Sequence, residues 1–175
     1  MNDIAALAIP PTAESLRERY GADPRAIPSN ATIDLLLSHR TWRAFKSDPL
    51  PDGTLEMLVA AAQSAATSSN LQSWSVVSVE NRETLKQLSD LSGAQKQVIE
   101  APLTLCFLSD LSRLANVADS IDHPREGLDY LESFVIGAID AALAAQNACV
   151  AAESLGLGTC YLGSLRNNPD EVAKI

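Results

Sequence analysis

An imidazole and two guanidiniums stand within five positions at His39, Arg40 and Arg43, in the segment His39-Arg40-Thr41-Trp42-Arg43-Ala44-Phe45. They follow directly on the apolar run from Ile33 to Leu37. The whole chain carries 13 Lys and Arg against 22 Asp and Glu, so a basic knot joined to core sequence is unusual in it. A guanidinium fork meets phosphate oxygens two at a time, where a lysine offers one point charge. A compact anion held at the end of a helix is the chemistry to expect. Surface pairing with carboxylates, favoured for cations near a helix C-terminus, is the competing reading.

Three further segments could meet a planar polar ligand. Thr67, Ser68, Ser69 and Asn70 cluster hydroxyls and backbone N–H groups, although the same residues suit a turn between helix and strand. Gln95 carries an amide that donates and accepts, and is as often simply solvated. Leu162, Gly163 and Ser164 follow a predicted strand, where glycine lets backbone approach a ligand closely. His123 has no metal-ligand partner at useful spacing, and no metal is expected. There is no nucleophile elbow, Walker loop or dinucleotide fingerprint.

These residues need a scaffold, and the 175 residues suffice for one domain or for most of a larger one. With 46% apolar and 20% charged residues the composition is that of a globular protein, and the net charge of −9 argues against nucleic acid. Cys106, Cys149 and Cys160 sit in apolar stretches without CxxC spacing, as reduced thiols of a cytoplasmic protein would. Met1 to Pro11 lacks the basic start of a signal peptide. Phe134 to Val150 is the longest apolar run, but its alanines and Asp140 argue against a membrane span.

Residues 1–30 form an N-terminal extension, with one helical turn pair from Glu14 to Tyr20, expected to lie on the surface or on a partner. A helix is predicted from an N-cap at Thr32 to Ser38. A second, entered through Pro49 to Thr54, buries Leu55, Leu58, Val59 and Ala62. Strands are predicted at Trp74 to Val79, Leu103 to Leu108 and Thr159 to Leu162. Helices are predicted at Arg82 to Leu91, on to Glu100, from Asp110, and from an N-cap at Asn168 with Pro169 and Glu171 behind it. Ser120 to Gly127 reads as a polar loop. The dominant helix, Tyr130 to Leu155, is apolar nearly all round and stops at Gly156 and Gly158.

Taken together, residues 31–175 resemble the FMN-dependent nitroreductase family, and within it the oxygen-insensitive NADPH nitroreductases and related flavin reductases. The resemblance rests on His39-Arg40-x-x-Arg43-x-Phe45, on Ala65-Ala66-Thr67-Ser68-Ser69-Asn70-Leu71-Gln72, on Gly93-Ala94-Gln95-Lys96 and on Ala145-Gln146-Asn147-Ala148. It rests most on Ala151-Ala152-Glu153-Ser154-Leu155-Gly156-Leu157-Gly158 with Gly163 to Asn168.

The resemblance implies an α+β fold, with a central, mainly antiparallel sheet flanked by helices and a long dimer-core helix. It implies an enzyme passing two electrons by ping-pong hydride transfer from NADPH or NADH, through FMN, to nitroaromatics, quinones or flavins. A flavin-binding protein without turnover is the alternative. It makes His39, Arg40 and Thr41 ligands of the FMN phosphate and ribityl chain. It places Arg43 near N1 and O2 of the flavin, where negative charge gathers on reduction. Thr67, Ser68 and Ser69 would reach the flavin from the partner of a homodimer. Gln95 would read the pyrimidine edge, and the backbone of Leu162, Gly163 and Ser164 would face N5 and O4. No side chain is assigned a catalytic proton transfer. Thr67 and Asn70 depart from the subgroup's usual residues, which alters the acceptor side of the pocket. Family members continue well past Ile175, so the chain is expected to be a fragment. A charge at Ala144, in the dimer-core helix, is expected to prevent pairing.

Overall fold

The computed structural model describes residues 11–21 and 28–175. The expectations for residues 1–10 and 22–27 lie outside the described residues. The described chain divides into two compact units.

The first unit comprises the described residues up to Arg43 together with Cys149–Tyr161. It contains α1 (Thr12–Tyr20) and α2 (Ala31–Ser38). The N-cap of α2 is Asn30 rather than Thr32. Its side chain accepts the N–H groups of Thr32 at 3.0 Å and Ile33 at 3.1 Å, the bonds an N-cap exists to make. Within the predicted extension, α1 packs on α2. Arg19 at its end donates to the Leu37 carbonyl at 2.6 Å and to that of His39, covering the open C-terminus of α2.

The second unit holds residues 44–148 and 162–175. Its sheet is β1 (Trp74–Val79) against β2 (Thr104–Ser109), antiparallel, with Val76 opposite Phe107. One face carries Trp74, Val76 and Phe107 onto Ala62 of α3 (Thr54–Gln63) and onto Ala141, Ala144 and Ala148 of α7 (Leu131–Ser154). On the other, Val79 joins Leu85 and Leu88 of α4 (Arg82–Leu91) and Val98 of α5 (Lys96–Glu100). This is the expected α+β arrangement of an antiparallel sheet between helices. Of the α3 residues expected in the core, Leu58 and Ala62 are buried, while Leu55 and Val59 are only half-buried.

The expected third strand is not there. Thr159 makes a single parallel bridge to Thr41 within the first unit, and Tyr161 and Leu162 continue as coil. One ladder rung cannot order the residues after it, and Leu162 packs instead among the leucines of the second unit's core. The helix at Asp110 is α6 (Ser112–Ser120), with the Asp110 carboxylate accepting Ser112 N–H at 2.8 Å. The helix after Asn168 is α8 (Pro169–Val172), and its expected cap is corrected. The Asn168 side chain makes no cap bond and donates to the Leu91 carbonyl at 3.1 Å.

Helix α7 shows why its sequence looks uniformly apolar. Gly137, Asp140, Ala141, Ala144, Ala145, Ala148, Cys149 and Ala152 recur every three or four residues and are buried. Leu131, Phe134, Val135, Ile139 and Leu143 fall on the opposite side and are exposed. Small side chains let the helix approach its own chain closely, and the large apolar ones look outward. The helix is long and apolar enough to cross a membrane by length and composition. Its midpoint is nevertheless built into the domain, because Asp140 bonds the backbone of the loop before β1. It ends in a Schellman turn at Gly156 (φ 76°), with Leu157 N–H on the Ala152 carbonyl at 3.0 Å and Gly156 N–H on that of Glu153 at 2.9 Å.

Gly137 marks the closest approach. A methyl there would overlap the Ser109 hydroxyl and stand 3.1 Å from the Ser73 carbonyl oxygen. Gly137→Ala is therefore expected to cost about 1–3 kcal/mol, as overpacked cores do, despite the better helix propensity of alanine. A urea melt checks it, and a gain in stability would mean that this contact yields freely.

Candidate functional site

The sequence-predicted residues fall in both units, and each group is built by its own surroundings. In the first unit the basic segment leaves α2 at His39, whose ψ of 130° ends the helix. Trp42 N–H donates to the Thr159 carbonyl at 2.9 Å, and the Trp42 ring lies over Gly158, where a Cβ would come within 2.9 Å of it. The bridge at Thr41 and this packing hold the segment extended.

Glu153 anchors it. One carboxylate oxygen accepts from His39 Nδ1 at 2.6 Å and from the Thr159 hydroxyl at 3.0 Å. An acid in the last turn of a helix opposes the dipole, and these two donors offset that. With Nδ1–H committed to Glu153, the other ring nitrogen of His39 is the one that can face a ligand. It donates to an anion only as imidazolium. Thr159, having given its proton to Glu153, accepts from Cys149 Sγ at 3.0 Å. Burial pushes the Cys149 thiol up, and Glu153 adds to this, so the sulfur keeps its proton. Tyr161 is likewise pushed up to about 12, first by partial burial of its phenol, then by Cys149 and Glu153. His39, Cys149 and Glu153 bring one nitrogen, one sulfur and one oxygen within 4.8 Å of one another. Every one of those atoms is a partner in the hydrogen bonds just described.

Arg40 bridges outward. Its guanidinium donates to the His39 carbonyl at 2.9 Å and pairs with Glu18 at 3.2 Å, both side chains being about half exposed. The carboxylate-pairing reading of the basic segment is thus realised. Exposed pairs of this kind are worth only about 0–1 kcal/mol, so a phosphate could replace Glu18 at little cost. One expectation is refined. The segment leaves the C-terminal end of α2, whose dipole repels anions, so any phosphate would be held by these side chains against that field. Thr41 and Arg43 are exposed.

In the second unit, Ser68 and Ser69 present exposed side chains, and Thr67 is half-buried. Their loop is strained. Ser69, Asn70 and Gln72 have φ of 49°, 54° and 50°, each costing on the order of 1 kcal/mol without a glycine. Asp140 spans the loop, with one oxygen on Ser68 N–H at 3.1 Å and the other on Ser73 N–H at 3.0 Å. Arg113 donates to the carbonyls of Gln72 and, at 3.1 Å, Trp74. Gln95 and Ser164, far apart in sequence, are brought together. The Gln95 amide donates to the Ser164 hydroxyl at 2.8 Å and to the Ser92 carbonyl at 2.9 Å, and accepts from Gln97. In this state the amide is satisfied by its own chain, so reading a ligand would require it to turn. Beside it, a Cβ on Gly163 would stand 3.0 Å from the Arg166 guanidinium.

Sequence reasoning missed Glu153 and Asp140 as site-building residues. For Asp140 a signal existed: it is the only charged residue between Glu132 and Glu153.

Comparison with known proteins gives one consistent result. The model of the Nitroreductase family matches residues 36–175. The chain is 41% identical over 147 residues to an FMN reductase (NADPH) of Bacillus subtilis, covering 83% of this chain and 59% of that protein. It is 38% identical over 144 residues to an oxygen-insensitive NADPH nitroreductase of Salmonella typhimurium, covering 82% of this chain and 58% of that one. The solved structure of NfrA1 nitroreductase from B. subtilis superposes with a TM-score of 0.80 at 40% identity, over 82% of this chain and 58% of that one. The chain thus spans just under three-fifths of the length of these relatives.

Proposed function

Since this chain belongs to the nitroreductase family, we propose that it serves as an FMN-dependent NAD(P)H oxidoreductase that reduces nitroaromatics, quinones or flavins as a homodimer. The observation that carries the reading is the basic segment itself. Glu153 and the Thr41–Thr159 bridge hold it extended, and the only carboxylate paired with Arg40 among the described residues, that of Glu18, is exposed.

The donor set fits FMN in chemical kind. Arg40 supplies cationic N–H groups and His39 an imidazole for a phosphate dianion, and Thr41 supplies a hydroxyl for the ribityl chain. The hydroxyls of Thr67, Ser68 and Ser69 suit the heteroatom edge of a flat ring, and we assign them to the flavin of the partner protomer. Gln95, turned from Ser164, offers one donor and one acceptor to a pyrimidine edge, and we assign the backbone of Leu162, Gly163 and Ser164 to the flavin ring. Bound FMN would supply the two-electron chemistry, accepting hydride from NADPH or NADH and passing it to the acceptor. The protein's part is to orient and to set the field. The outward face of α7, with Phe134, Ile139 and Leu143, is the apolar surface on which we place the second protomer. Three free thiols suit a reducing compartment such as the cytoplasm.

Arg43 gives this reading an electrostatic test. A guanidinium near N1 and O2 stabilises the charge that reduction brings there. Arg43→Gln is expected to lower the flavin's midpoint potential and slow its reduction by NADPH, with a smaller effect on FMN affinity. Dye equilibration reads the potential, and an unchanged value removes Arg43 from the ring. For the function as a whole, the FMN-loaded chain should bleach when NADPH is added without oxygen and regain its colour on adding a quinone. A yellow chain that never bleaches would be a flavin binder without turnover.

A further inference from the structure

The loop from Ser68 to Ser73 is held in a shape its own residues do not favour. Three of its non-glycine residues, Ser69, Asn70 and Gln72, lie in the left-handed region, where L side chains crowd the backbone. Local bonds do not explain the shape. Leu71 N–H reaches the Ser68 carbonyl at 2.9 Å and Trp74 N–H that of Gln72 at 2.8 Å, each closing only one turn. Arg113 donates to the Gln72 carbonyl, and what joins the two ends of the loop is Asp140, from the middle of α7. Its side chain is 1% exposed, and its two oxygens accept the N–H groups at the two ends, Ser68 and Ser73. A carboxylate inside an otherwise apolar and alanine-rich stretch of helix is costly to bury unless such donors meet it.

We propose that Asp140 is a positioning residue whose two-ended grip keeps Ser68 and Ser69 presented for FMN. This rests on the flavin reading given above. A carboxylate suits the task because both of its oxygens accept. Asparagine, of the same size, can accept at one end only and turns its NH2 toward an N–H donor at the other. The grip also accounts for the lack of glycine in the loop. An external clamp allows ordinary side chains at positive φ, with serine hydroxyls where glycine would have none.

The experiment is Asp140→Asn, followed by amide hydrogen exchange of the flavin-free chain and by FMN titration. The expected result is faster exchange at Ser68 or Ser73, with β1 and β2 amides unchanged. FMN affinity should fall roughly tenfold or more, the scale of one charge-assisted bond lost. Adding Gln72→Gly should recover part of that affinity, because glycine adopts positive φ without help. A purely structural role for Asp140 would lower the melting temperature and leave the affinity of the folded protein alone. A folded Asp140→Asn chain with unchanged exchange at both serines, or with faster exchange and unchanged FMN affinity, overturns the proposal. Should the variant not fold, the unmodified chain decides: slow exchange at Ser68 and Ser73 supports the grip, and exchange as fast as in open peptide refutes it. An unmodified chain that takes up no FMN sinks the flavin reading, and the exchange data still show separately whether Asp140 holds the loop.

Discussion

Ala144→Asp is expected to unfold the second unit. Ala144 is fully buried, in a cluster with Ala62, Trp74, Ala141 and Ala148, and no cation lies among them to receive a carboxylate. An unpaired buried charge costs several kcal/mol, comparable with the whole stability of a typical domain. The sequence suggested a different outcome for this substitution, loss of pairing and with it loss of FMN. The structure corrects that, because Ala144 faces its own chain. The control is next to it. Leu143 is 42% exposed on the outward face, so Leu143→Asp should leave the protomer folded while preventing association. Circular dichroism and sedimentation on both variants separate the two faces of α7. A folded Ala144→Asp chain would show that the buried face can open, and a dimeric Leu143→Asp chain would remove the outward face from the interface.

Arg40→Ala carries the second large effect. The free protein loses little, since the Glu18 pair is exposed and Arg19 also caps the end of α2. A bound phosphate loses a charge-assisted fork, about 1.5–3 kcal/mol, in a place where the C-terminus of α2 already opposes it. FMN affinity should therefore drop by one to two orders of magnitude with the melting temperature nearly unchanged. Calorimetric titration measures the first and a thermal melt the second. Equal loss of both would make Arg40 a structural residue.

Elements whose pattern is local were legible in the sequence. The β-branched run from Trp74 to Val79 and the amphipathic stretch from Arg82 to Leu91 form the expected strand and helix to the residue. The strand expected at Thr159 was misread because its pairing is one bridge to Thr41, more than a hundred residues away, and no local pattern encodes that. The cap of α2 was displaced from Thr32 to Asn30 because two capping residues stand two positions apart and only the backbone chooses. The basic segment was read as a site from its residue types, but its anchor was not. Nothing near His39 in sequence points to Glu153, which is 114 residues distant. The left-handed residues 69, 70 and 72 were invisible for another reason: without glycine, their conformation is imposed by Asp140 and Arg113 from elsewhere in the fold.

The most direct test of the account is a pair of titrations of the flavin-free chain, one with FMN and one with riboflavin, followed by quenching of flavin fluorescence. The two ligands differ only in the phosphate that His39 and Arg40 are assigned to hold. The account predicts saturable FMN binding, with riboflavin weaker by roughly tenfold or more, since at least one charge-assisted fork is lost with the phosphate. Equal affinity for the two, or no binding of either, would contradict it.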